Sequence, residues 1–310
     1  SLVDLTLYAL LLLLGAIWGG SFLLLKIAGN AFGPFTIAFL RVLLGSIILR
    51  LVLYARGVPP PRGSEARKRF AVVGAFSVFI PFSLISWGTL RIPSGSSAIL
   101  NGTMPLFSAI VAHLVGESRL SLRSAAGVLV GFLGVVVLAL PNMRSGLLEG
   151  LWGQLAVLLA SMSYGIGIVY ARRKVTRWPP LAAAYGQIAY GCAWLFPLAL
   201  LEQPWQTMPT VPSVGALLML GIVQTAIAYV IYYELLAKGG VTFTSMVTYI
   251  LPPFGLLWGW VFLREPLTWR AILTLALIIA GILLARSPSR PARSSKPQGM
   301  ASHAQGHAES

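Results

Sequence analysis

The chain has 310 residues, 57% of them hydrophobic and only 10% charged. Soluble domains carry about 25% charged residues, so a soluble globular class is excluded. The net charge of +15 does not signal a nucleic-acid partner, because Lys and Arg sit in short connections between apolar runs.

A bilayer-crossing helix needs about 20 mostly apolar residues, and such runs recur along the chain. The predicted spans are 5–26, 34–54, 70–90, 94–115, 122–140, 151–171, 181–201, 213–236, 242–263 and 267–286. The breaks carry turn chemistry, among them Gly33-Pro34, Pro59-Pro60-Pro61, Pro93, Pro141-Asn142, Pro179-Pro180, Gly239-Gly240 and Pro266. The first run is too long for a cleavable leader and lacks a basic flank. Residues 287–310 turn abruptly to Ser, Pro and Arg and are expected to form a disordered cytoplasmic tail. The one cysteine, Cys192, excludes an intrachain disulfide, and no His/Cys cluster has metal-ligand spacing. No metal and no cofactor are expected. The fold class is therefore an all-α integral membrane protein of ten transmembrane helices.

Basic residues orient the spans. With the N-terminus inside, sixteen Lys and Arg fall on the cytoplasmic side, including Arg56, Arg67, Arg119, Arg172, Arg173, Lys238 and those of the tail. Five (Lys26, Arg91, Arg144, Arg264 and Arg270) fall on the other. This asymmetry predicts both termini in the cytoplasm.

One segment occurs twice. PLFSAIVAHLVGE runs from Pro105 to Glu117 and PFGLLWGWVFLRE from Pro253 to Glu265, at an offset of 253 − 105 = 265 − 117 = 148. At 164 − 18 = 146 Trp18-Gly19 meets Tyr164-Gly165, and at the same offset Lys26 meets Arg172 and Arg41 meets Gln187. Two repeats, 5–140 and 151–286, follow. Five spans per repeat is an odd number, so the second must run opposite to the first through the membrane.

WGGSFLLLK (Trp18 to Lys26), the Pro34 to Arg41 stretch and the twin Pro-to-Glu units resemble the EamA type of the drug/metabolite transporter superfamily over residues 5–286. Within it the narrower resemblance is to YddG-like amino-acid exporters. The resemblance implies a central cavity between inverted five-helix halves, and export of amino acids or other metabolites across a bacterial inner membrane. Unlike the small four-helix multidrug members, the first span holds no glutamate, which argues against cationic-drug/proton antiport.

Polar side chains inside a membrane are costly and face a cavity or another helix. On the fourth span Ser97, Asn101, Pro105 and Ser108 share a face by i, i+4 spacing, as do Ser245, Thr248 and Tyr249 on the ninth. The third span offers Phe79, Phe82, Ser83 and Ser86, and the eighth Gln224, Thr225, Tyr229, Tyr232 and Tyr233. Trp18, Ser21, Ser161 and Tyr164 add to these from the first and sixth. The predicted substrate-binding set is Trp18, Arg41, Phe79, Ser83, Ser97, Asn101, Tyr164, Gln224, Tyr229, Ser245, Thr248 and Tyr249. Arg41 is the one cation deep in a span, suited to a substrate carboxylate, to snorkelling or to helix carbonyls. Pro105 and Pro253 are expected to kink their helices. Glu117 and Glu265, beside Arg119, Arg123, Arg264 and Arg270, are expected to pair or gate at the two mouths, and His113 to pack near a helix end. No carboxylate falls mid-membrane, so the expected activity is facilitated or weakly coupled export of a neutral or zwitterionic small molecule, with membrane lipid as the other partner. Sugar phosphates or nucleotide sugars, the alternative, need several cavity cations.

Overall fold

The computed structural model describes residues 2–145, 148–206 and 208–285. The tail expected at 287–310 lies outside the described residues. Ten helical segments follow one another: α1 (Leu2–Ala28), α2 (Pro34–Ala55), α3 (Ser64–Thr89), α4 (Ser94–Leu114), α5 (Leu122–Ser145), α6 (Leu148–Lys174), α7 (Pro180–Leu201), α8 (Val211–Gly240), α9 (Val247–Leu263) and α10 (Trp269–Ala285). No strand occurs among the described residues. The first eight are long and apolar enough to cross a membrane, while α9 and α10 are apolar but 17 residues each.

The helix bounds differ from the predicted spans in one instructive place. α3 begins at Ser64, six residues before the expected start, because the charged turn Glu65 to Arg69 is itself helical. Glu65 pairs with Arg69 one turn on and with Arg177 beyond α6. Glu65 in the first turn favours the helix start, and its pair with Arg69 one turn on supports the charged turn.

Helix packing follows a regular rule. Prominent helix pairs are α1 with α9, α6 with α4, α1 with α8, α6 with α3, α2 with α8 and α7 with α3, together with α2 on α7, α4 on α9 and α5 on α10. Exchanging helices 1–5 with 6–10 turns this set of pairs into itself. The closest crossing joins α5 to α10. A Cβ added at Gly127 would lie 2.5 Å from the Gly281 carbonyl oxygen and the Ala285 nitrogen, so here the two backbones touch. Small residues permit such crossings in lipid, where dispersion and not water release drives association.

Several helices are interrupted, and the interruptions come in pairs. α3 contains a π-turn at Ala75–Phe79 and α8 one at Ile222–Ile227, whose starts differ by 222 − 75 = 147. In α3 Pro81 follows the turn and lacks an amide to donate, so the wider turn accommodates it. In α8 the one proline, Pro212, lies in the first turn of the helix and away from the π-turn; the Thr225 hydroxyl donates to the Leu220 carbonyl at 2.8 Å and supports the widened turn. α4 breaks at Gly102 and Thr103 and resumes at Met104, so Pro105 lies in the first turn of a new helix, where proline is tolerated. Pro253 departs from that pattern: α9 runs straight through Pro252 and Pro253, and the breaks of this region lie earlier, at Gly240 (φ 76) and at the turn of Ser245 and Met246.

Two helix starts lack a cap of their own and borrow a carboxylate. Glu202, past the end of α7, accepts from the amides of Phe35 (3.1 Å) and Thr36 (2.7 Å) at the start of α2. Glu265, past the end of α9, accepts from the Ser94 amide (2.7 Å), the Ser94 hydroxyl (2.9 Å) and the Gly95 amide (3.1 Å) at the start of α4. Negative charge at a helix N-terminus is stabilised by the amides and the dipole together.

Gly281→Val forces α5 and α10 apart and is expected to cost roughly 1–3 kcal/mol. It should lower the thermal unfolding midpoint of the detergent-purified protein. Gly215→Ala, with open space around its Cβ position, should leave the midpoint unchanged or slightly raised.

Candidate functional site

Arg41 projects from the middle of α2 and is 7% exposed. Its Nε donates to the Thr225 hydroxyl at 3.2 Å and its Nη2 to the Ser21 hydroxyl at 3.5 Å. The guanidinium lies over the Phe82 ring, 4.6 Å from its centre. Residues from α1, α2, α3 and α8 thus surround one cation. Among the described residues no carboxylate pairs with it; those of Glu65, Glu117 and Glu234 are engaged with other cations and those of Glu202 and Glu265 with helix starts. A charge deep in a membrane helix costs about 2.5–3.5 kcal/mol on insertion scales, and two hydroxyls and a ring face offset only part of that.

Aromatic rings wall this centre in a paired arrangement. Trp18 of α1 meets Tyr229 of α8 edge to face at 6.1 Å and 71°. Tyr164 of α6 meets Phe82 of α3 at 6.4 Å and 70°. The two pairs are related by the sequence offset, since 164 − 18 = 146 and 229 − 82 = 147. Tyr232 and Tyr233 extend the wall, Tyr232 lying 5.6 Å from Trp18 and 5.3 Å from Tyr233. The Trp18 indole N–H donates to the Gln224 carbonyl at 3.1 Å, inside the π-turn of α8. That turn therefore presents Gln224, Thr225 and, just beyond it, Tyr229 to the same centre. Gln187 of α7 donates to the Tyr229 hydroxyl at 3.3 Å. Trp18, Tyr164, Gln187, Tyr229, Tyr232 and Tyr233 are all half-buried.

Of the predicted substrate-binding set, Trp18, Arg41, Tyr164, Gln224 and Tyr229 come together. Ser83 follows Phe82 on α3 and is buried, its hydroxyl without a hydrogen-bond partner. Ser97 and Asn101 belong to the first segment of α4; the Ser97 hydroxyl and the Asn101 side-chain oxygen are buried without partners, as is the Gln224 side-chain oxygen. Asn101 is next to Leu100, whose carbonyl accepts from the Ser161 hydroxyl one turn before Tyr164. Phe79 is tilted against Trp194 of α7 at 6.4 Å and packs on the same apolar cluster as Tyr164, Tyr229 and Tyr233. Thr248 bonds locally, its hydroxyl donating to the Ser245 carbonyl at 2.8 Å, and Tyr249 packs on the apolar cluster around Leu106.

Six residues outside the predicted set complete the centre: Ser21, Phe82, Gln187, Thr225, Tyr232 and Tyr233. Phe82 and Thr225 lie on the stripes already noted for α3 and α8. Gln187 had one signal, its alignment with Arg41 in the other repeat.

The helix-end residues differ from expectation. Glu117 pairs with Arg172 at 3.2 Å and Arg173 at 3.9 Å, on α6, and not with Arg119 or Arg123. Glu265 serves the start of α4, not Arg264 or Arg270. Arg264 is left-handed (φ 54) and reverses the chain, which turns Glu265 back along α9 toward Ser94. His113 is exposed and accepts from the Leu120 amide at 3.2 Å, so it fastens the connection after α4.

A bundle of apolar helices, eight of them long and apolar enough to cross a membrane, around a half-buried ring of aromatic and polar side chains defines a multi-pass membrane protein. The sequence pattern of the EamA-like transporter family matches residues 5–140 and again residues 151–287. The chain belongs to this family within the drug/metabolite transporter superfamily, and is a transporter, not an enzyme. It is 23% identical over 269 residues to the uncharacterized transporter YoaV of Bacillus subtilis, covering 86% of this chain and 92% of that one. It is 25% identical to a probable terminal-alkyne amino-acid exporter of Streptantibioticus cattleyicolor (86% and 89% covered). It is 24% identical to the inner membrane transporter YedA of Escherichia coli, with 90% of each chain covered. A crystal structure of a protein 20% identical superposes with a TM-score of 0.63 over 90% of this chain and 96% of that one, a likeness of fold.

Thr225→Val removes both the support of the π-turn and the Nε partner of Arg41. The expected loss is roughly 1–3 kcal/mol from an unmatched buried donor, read as a lowered thermal unfolding midpoint. Thr225→Ser should stay near wild type.

Proposed function

We propose that the protein exports amino acids or closely related zwitterionic metabolites across a bacterial inner membrane, by alternating access around the Arg41 centre. The observation that carries this is the buried guanidinium of Arg41 with hydroxyls and a ring face as its neighbours and no paired carboxylate. A substrate carboxylate supplies the missing counter-charge, and a guanidinium binds it in a fork. The aromatic wall of Trp18, Phe82, Tyr164, Tyr229, Tyr232 and Tyr233 suits an apolar side chain with a polar end. The unpartnered oxygens of Asn101, Ser97, Ser83 and Gln224 are acceptors of the kind an ammonium group needs. A single cavity cation suits one carboxylate better than a phosphate.

Ten crossings, an inverted second half and cytoplasmic termini belong to this proposal. Its supports are the packing rule that maps helices 1–5 onto 6–10, the two π-turns and the charge asymmetry of the connections. In such folds the midplane site lies where the two repeats meet and the repeats rock about it. The amino-acid export named for the Streptantibioticus relative is consistent with it.

The test is uptake of a panel of labelled amino acids into proteoliposomes, with and without an imposed proton gradient. Saturable uptake of neutral amino acids is expected without a gradient; no uptake of any amino acid would refute the substrate class. Arg41→Gln should reduce uptake at least a hundredfold, the loss expected for one charged hydrogen-bonded partner of roughly 3 kcal/mol. Arg41→Lys keeps charge but not the fork and should retain part of it. The corresponding amino-acid amides, lacking the carboxylate, should not compete with the substrate of the wild-type protein.

A further inference from the structure

The two ends of the helix bundle hold the same three parts in different arrangements. The parts are a glutamate closing one helix, a cation at the end of a second, and the start of a third. At one end they are Glu265, Lys26 and the α4 start at Ser94 and Gly95. At the other they are Glu117, Arg172 and the segment at Thr242 and Phe243. The sequence offsets match them: 265 − 117 = 242 − 94 = 148 and 172 − 26 = 146.

At the first end Glu265 sits on the helix start with three hydrogen bonds. Lys26 is within electrostatic range of it but forms no ion pair among the described residues. At the second end Glu117 sits on its cation, Arg172, with Arg173 also in reach. Helix packing differs in the same sense. α9 lies against the first segment of α4: a Cβ on Gly255 would collide with Ala98, and one on Gly95 would lie 2.8 Å from Leu256. α1 also touches that segment. The symmetry-related contacts, Met104–Leu114 of α4 on α9 and α6 on α9, are at most marginal.

We infer that Glu117 and Glu265 form a two-position latch that controls which end of the transporter is closed, an inference that rests on the alternating-access reading above. A glutamate on the helix start closes its end, and a glutamate on the cation marks the open end. When the protein switches, Glu265 leaves Ser94 for Lys26, and Glu117 leaves Arg172 for the amides of Thr242 and Phe243. A charged bond to helix-start amides outweighs a solvent-exposed ion pair, so each glutamate favours closure of its own end. The Gly255 to Ala98 contact then has a counterpart that forms only in the other state, Phe107 to Met246, since 255 − 107 = 246 − 98 = 148.

The test is a disulfide between Phe107→Cys and Met246→Cys in a Cys192→Ala background, with oxidative cross-linking in membrane vesicles. Glu265→Gln should raise the yield of the slowly formed cross-link roughly fivefold, the difference between a charged and a neutral acceptor. Glu117→Gln should lower it by a similar factor. The double variant should return toward the parent. Ser94→Ala, a milder change, should shift the yield in the direction of Glu265→Gln. A parent cross-link unmoved by either glutamate substitution, or moved the same way by both, overturns the latch while leaving alternating access standing. No cross-link in any variant overturns both.

Discussion

The bilayer offers no water to hydrogen-bond a backbone group that a helix leaves free, and this constraint shapes the molecule. Helices that break inside it must find partners within the protein. The breaks here are each supplied from a side chain. Thr225 supports the π-turn of α8 through the Leu220 carbonyl, and Trp18 of α1 donates to the Gln224 carbonyl in the same turn. The Leu100 carbonyl, at the break in α4, accepts from Thr103 and from Ser161 of α6. The start of α4 takes its cap from Glu265, a residue 171 positions away. Irregular backbone is thus concentrated where helices from both halves of the chain converge, around Arg41 and the first segment of α4.

That convergence explains why the aromatic wall is doubled. α1 with α8 and α6 with α3 are equivalent pairs under the exchange of halves, and each brings one indole or phenol against a ring on the neighbouring π-turned helix. The equivalence is of geometry and not of chemistry. Arg41 on α2 has Gln187 as its counterpart on α7, and Ser86 on α3 has Tyr233 on α8. A solute between them therefore meets a cationic side and a hydrogen-bonding side on one frame, which suits a ligand with two unlike ends.

Much of this was legible in the sequence. The twin Pro-to-Glu segments and the offsets of 146 to 148 located equivalent positions before any coordinates, and Arg41 stood out as the lone cation deep in a span. The π-turns were not legible. A stripe of polar residues on α3 or α8 has the same spacing on either side of one extra residue, and only α3 carries a proline beside its π-turn as a hint. The partners of Glu117 and Glu265 were hidden for another reason. Arginines adjacent in sequence suggested local pairing, but the left-handed turn at Arg264 reverses the chain and sends Glu265 to another helix. Thr248 shows another limit: a shared helical face predicts direction only, and its hydroxyl meets the local Ser245 carbonyl.

The electrostatics of the centre argue for a substrate that completes it and not one that competes with it. Arg41 is held without an internal counter-ion, while the carboxylates nearest the helix ends are engaged elsewhere. Had one of these glutamates reached Arg41, the centre would be neutral when empty, and a substrate carboxylate would have to displace it. As built, the Arg41 charge bears the part of its burial cost that Thr225, Ser21 and Phe82 do not offset. Under the function proposed above, a substrate carboxylate would relieve that cost, which would favour occupancy without a strong affinity for the neutral parts of the ligand. A carrier gains from that arrangement, since a substrate bound mainly through one relieved charge can leave once water reaches the guanidinium from the opposite side.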